Sequence, residues 1–163
     1  MNDIEKNQAR KFANELAKLV SESFSNSKYP SQVFNVSYRF HEFDEPEDQE
    51  FDIHIRIPSI RPDLVNRKYK NNIDRNSACP AIERIMLPRW LQCQGFLTSL
   101  IDYLGNLPHV DAVCLSHVTN QSFSDYLENS DVWIRLKSDY LPDSPMTKFH
   151  HNRAPTYCRI FCD

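Results

Sequence analysis

Glycine is nearly missing from this chain: 163 residues contain only two, Gly95 and Gly105. A dinucleotide-binding fingerprint needs three glycines within six residues, and a P-loop needs two flanking its phosphate-binding turn. Neither can be built here, so nucleotide binding by those two routes is excluded. Long apolar runs are missing as well. No stretch approaches the roughly 20 apolar residues of a membrane helix, and the N-terminal MNDIEKNQARKFANELAKLV scatters charges where a signal peptide carries an apolar centre. Gly-x-Ser-x-Gly and His-Glu-x-x-His, the commonest hydrolase and zinc-protease signatures, do not occur. Cysteine is sparse and odd in number: Cys79, Cys93, Cys114, Cys158 and Cys162. No small secreted disulfide framework is spelled out, so the expectation is reduced thiols in a cytoplasmic protein. The net charge of −3 gives no general attraction to nucleic acid or to an anionic membrane.

What is present reads as one folded domain over 1–163. Hydrophobic residues make up 40% and charged residues 25%, within the globular range. Residues 3–24 repeat Ala9, Phe12, Ala13, Leu16, Leu19, Val20 and Phe24 at helical spacing. Two runs then alternate with period two. Phe34, Val36, Tyr38 and Phe40 interleave with Ser37, Arg39 and His41; Phe51, Ile53, Ile55 and Ile57 interleave with Asp52, His54 and Arg56. This pattern predicts a hairpin, 33–41 paired with 51–57, with one buried face. Side-chain parity allows Arg39 opposite Asp52 with Ser37 opposite His54, or His41 opposite Asp52 with Arg39 opposite His54. Further on, the spacing predicts a short helix over 80–87 and a longer one over 88–104, with Gly105 as its left-handed C-terminal cap. A buried strand is expected at 109–118, a helix near 123–129 opened by Ser122, and strands in DVWIRLK and TYCRIFC. The fold class is α+β: a mainly antiparallel sheet of about five strands, with helices 3–24 and 88–104 packed on one face.

Four features bear on chemistry. The polar side of the hairpin gathers Arg39, His41, Asp52, His54 and Arg56. Imidazole exchanges protons near neutral pH, an adjacent carboxylate orients it, and arginine grips oxyanions. Alternating strands also carry a polar face for no catalytic reason, so these residues are candidates only. His117-Val118-Thr119 resembles the His-x-Thr element of two-histidine phosphoesterases; that pattern needs a second copy, and no other histidine has Ser or Thr two residues on. Cys114, His117, His150, His151, Cys158 and Cys162 lack the spacing of compact zinc sites, so no metal and no cofactor are expected. Charge is uneven: residues 42–52 hold seven acids, and Arg61, Arg67, Lys68, Lys70 and Arg75 surround Tyr69 in the connector at 61–78.

With no motif of catalytic specificity, the sequence favours a non-enzymatic protein-interaction domain of the immunity, chaperone or inhibitor kind. Its partner would be a protein, held by Arg61, Arg67, Lys68, Tyr69, Lys70 and Arg75; nucleic acid is not favoured and a membrane is not expected. The alternative is a small enzyme acting on a phosphoester or nucleic acid through the hairpin's polar face.

Overall fold

A computed structural model describes residues 3–26, 33–41, 45–56, 79–108, 110–136 and 155–161. The elements run α1 (Asp3–Asn26), β1 (Val33–Arg39), β2 (Glu50–Arg56), β3 (Ala81–Met86), α2 (Phe96–Gly105), β4 (Ala112–Leu115), α3 (Gln121–Glu128), β5 (Ile134–Leu136) and β6 (Thr156–Ile160). The strands form one six-stranded sheet of order β1-β2-β3-β4-β6-β5. It is mostly antiparallel, with β3 and β4 parallel, so the α+β class is as expected. Residues 80–87, expected to be helical, instead supply strand β3. Ala81 and Ile82 are buried and only Arg84 in this strand is exposed. The clean alternation that marks a half-wet strand is therefore lost, and pairing with neighbouring strands overrides local helix propensity.

Two compact units divide the chain: Met1–Ile55 with Arg84–Leu107, and Arg56–Glu83 with Pro108–Asp163. In the first, α1 buries Ala9, Ala13, Ala17, Val20 and Phe24 along one stripe, while Phe12 and Leu19 lie at its margins, 37% and 59% exposed. Helix α2 packs against α1 and buries Phe96, Leu100, Ile101 and Leu104. The edge-on ring pairs Phe24–Phe34 and Phe51–Phe96 set both helices on the apolar face of the hairpin. Helix α2 begins later than its periodicity suggests. Pro88 opens a 3₁₀ turn, Arg89–Leu91, and the chain then reverses through Cys93 (φ 57°) and Gly95 (φ 84°). Gly105 is inside the helix and Asn106 ends it with φ −89°, so the left-handed position belongs to Gly95. The turn also reaches the acidic hairpin tip: the Arg89 N–H donates to Asp48 Oδ1 (3.1 Å), Trp90 Nε1 donates to the Asp48 carbonyl (3.3 Å), and Arg89 pairs with Glu47.

In the second unit β4 is buried along its whole length and pairs with β6, Cys114 opposite Cys158 and Leu115 opposite Tyr157. Helix α3 is capped by Asn120, which accepts from the Phe123 N–H at 2.9 Å, rather than by Ser122. The buried Tyr157 ring carries its hydroxyl to Ser124 Oγ (2.7 Å) and donates to Glu128 Oε1 (3.0 Å); Glu128 in turn pairs with Arg135. Burial pushes the Tyr157 hydroxyl pKa up, and the Glu128 carboxylate adds to the shift. Cys114 and Cys158 are joined as a disulfide. This corrects the expectation of uniformly reduced thiols: the register sets the two side chains directly opposite, a proximity invisible in the spacing. Among the described residues no helix is long and apolar enough to cross a membrane.

Candidate functional site

The site is built on the outer face of the β1–β2 hairpin, within the first unit. Alternation turns Phe51, Ile53 and Ile55 into the core and leaves Asp52 and His54 on the other side. The parity expected from the sequence holds, but the register does not. Asp52 meets Ser37 rather than Arg39 or His41, and the Phe40 N–H donates to the Gln49 carbonyl at 2.6 Å. The 3₁₀ turn Pro46–Asp48, held by Arg89 and Trp90, occupies the β2 side of the tip. That moves the crossing point of the hairpin toward its first strand.

Asp52 is the centre of the arrangement. Only 8% exposed, it accepts the Ser37 hydroxyl on Oδ1 (2.6 Å), while Oδ2 lies 3.3 Å from His54 Nε2 and 3.4 Å from Arg84 Nε. A carboxylate so nearly withdrawn from water is tolerable because Oδ1 accepts a hydrogen bond and Oδ2 has two groups that can carry positive charge at ion-pair distance. The order of contacts decides the chemistry. Ser37 bonds the acid and not the imidazole, so the serine–histidine contact of a Ser-His-Asp mechanism is not made. His54 turns Nε2 to Asp52, which leaves Nδ1 as the ring nitrogen for proton exchange with a ligand. Beside them an open depression of about 530 Å³ is lined by Ser37, Tyr38, Arg39, Glu50, Phe51, Asp52, His54 and Met86. Arg39 donates through Nε and Nη2 to Gln49 Oε1 (3.2 and 3.1 Å). No carboxylate stands within ion-pair distance of its guanidinium among the described residues, so its charge is free for an anion.

Three of the five residues expected on this face, Arg39, Asp52 and His54, are thus brought to one depression. His41 is exposed in the turn and joins no part of it; Arg56 pairs instead with Glu83 at 3.0 Å. His117 is exposed with φ 58° just beyond β4. Arg61, Arg67, Lys68, Tyr69, Lys70 and Arg75 lie outside the described residues, as do His150, His151 and Cys162. Sequence reasoning missed Arg84 because its segment was read as helical; Ile82-Glu83-Arg84-Ile85-Met86 carries no period-two alternation that would have signalled a strand. Gln49, the anchor of Arg39, lay in the expected turn and carried no signal.

No family model matches the chain, and no curated protein matches it. Among solved structures it is similar to the crystal structure of an acetyltransferase of the GNAT family from Staphylococcus aureus Mu50, at 12% identity and a TM-score of 0.45. The likeness covers 99% of this chain and 96% of that one. The expectation of an immunity-, chaperone- or inhibitor-like interaction domain is corrected here: that structure is an enzyme, and the partner-binding segment lies outside the described residues. So weak a likeness carries no residue role or reaction across to this chain.

Proposed function

We propose that the chain is a single-domain cytoplasmic enzyme that performs general acid–base chemistry on a small substrate bearing an anionic group. The observation that carries this reading is the Asp52–His54 pair in the wall of a depression that also holds Arg39, a cation without an acidic partner among the described residues. Each residue has one task. Arg39 receives the anionic group through its guanidinium fork. His54 exchanges a proton through Nδ1, and Asp52 orients the ring and stabilises the imidazolium when it forms. Ser37 and Arg84 hold Asp52 in place, and Arg84 offsets its charge. Tyr38 and Met86 supply apolar contact for the body of the substrate.

Calorimetric titration with acetate and with inorganic phosphate tests the reading without knowledge of the substrate. Saturable binding of at least one anion is expected, weakened about tenfold in Arg39→Gln, as loss of a charge-assisted bond implies, and unchanged in His41→Gln. Absence of binding by the folded protein, or equal binding by Arg39→Gln, overturns it.

A further inference from the structure

Three sulfurs meet in the second unit, each carried by a different part of the sheet. Cys79 stands two residues before β3, Cys114 lies in β4, and Cys158 faces it from β6. All three Sγ atoms lie within 4.8 Å of one another, and Cys79 Sγ is 3.5 Å from Cys114 Sγ. The residues are 2%, 0% and 0% exposed. Ala81, Ala112, Leu136 and Ile160 surround them and offer no side-chain oxygen or nitrogen ligand. Separations of 35 and 44 residues hide the group from any search for closely spaced ligand pairs.

The donor set defines the ion. Three thiolates around a metal at ~2.3 Å place their sulfurs roughly 4 Å apart; Cys79 Sγ already stands 3.5 Å from Cys114 Sγ, and reduction frees the bonded Cys114 and Cys158 sulfurs to separate. Sulfur-only coordination selects soft ions, and among the described residues no fourth ligand joins the three sulfurs, as tetrahedral zinc would require. We propose that, once the Cys114–Cys158 disulfide is reduced, Cys79, Cys114 and Cys158 bind one monovalent thiophilic ion of the cuprous class. A thiol reductant supplies the two electrons: two reductant thiols become one disulfide as Cys114 and Cys158 each gain a proton. Three sulfur–metal bonds then replace three S–H bonds, and three protons are released. The disulfide and the metal use the same sulfurs and exclude each other, so the site loads only under reducing conditions. Were the cysteines only small buried hydrophobes, reduction would expose no affinity.

The test uses the full chain with Cys93→Ser and Cys162→Ser, which leaves only the three thiols in question. The reduced protein is titrated with cuprous ion in the absence of oxygen and against a competing chelator. Binding is followed by thiolate-to-copper absorption in the near ultraviolet and by native mass spectrometry. One copper per chain is expected, with all three cysteines shielded from an alkylating reagent, and Cys79→Ala weakens retention at least tenfold. Failure to retain copper, alkylation unaffected by copper, or undiminished retention by Cys79→Ala overturns the site. The alkylation count requires no core substitution, so it decides the matter even where Cys79→Ala does not fold.

Discussion

Asp52 shows why a buried acid on a strand is informative. Its neighbours Phe51 and Ile53 are there to fill the core, but an acid at 8% exposure is retained only where it is satisfied; here the Ser37 hydroxyl donates to it, and His54 and Arg84 stand at ion-pair distance. Asp52→Asn turns an amide N–H₂ toward those donors; urea denaturation is expected to show a loss of ~1–3 kcal/mol. Arg84→Ala, at a side chain 59% exposed, costs less than ~1 kcal/mol. Cys79 makes a second prediction at this scale. Burial, helped by the Asp111 carboxylate, pushes its thiol from 9.0 to about 12. A raised pKa means the folded state holds a proton that the unfolded chain releases. The stabilisation from this group is therefore complete below pH 9 and is lost between pH 9 and about 12. Tyr157, shifted in the same direction, adds to that alkaline loss. Stability measured against pH should fall across this window, and more gently in Cys79→Ala; an identical slope contradicts the assignment.

At the scale of elements, the two glycines make opposite predictions. Gly95 has φ 84° and open space where a Cβ would stand, so Gly95→Ala carries a backbone cost alone, ~1–2 kcal/mol. Gly105 lies within α2, and Gly105→Ala is expected to stabilise by ~0.5–1 kcal/mol. Thermal melts of the two variants should move in opposite directions. The glycine pair also shows what the sequence revealed. Period-two alternation made β1 and β2 legible, and the apolar spacing made α1 legible. The start of α2 was not, because a 3₁₀ turn and a left-handed reversal lie inside an unbroken apolar stripe. Strand β3 escaped because burial of Ala81 and Ile82 erased its alternation, and the hairpin register because Arg89 and Trp90, far along the chain, place the tip.

The sheet as a whole joins residues that no local pattern relates. Arg39, Asp52 and His54 were readable as one polar face, whereas Arg84 and the group Cys79, Cys114 and Cys158 depend on strand neighbours distant in sequence. The disulfide closes a separation of 44 residues, and its reduction is expected to lower stability by about 4 kcal/mol through restored freedom of the unfolded chain. Denaturation with and without reductant, free of metal, measures that difference.

The account rests most heavily on His54, and a long-range proton–nitrogen correlation spectrum of its imidazole, recorded while inorganic phosphate is added, tests it most directly. A ring held by Asp52 keeps its proton on Nε2, and Nδ1 shifts saturably as phosphate occupies Arg39. The Nε2 preference disappears in Asp52→Asn. A ring that averages freely between its two neutral forms, with nitrogen shifts indifferent to phosphate and to Asp52→Asn, would make this face the solvated side of a sheet and contradict the account.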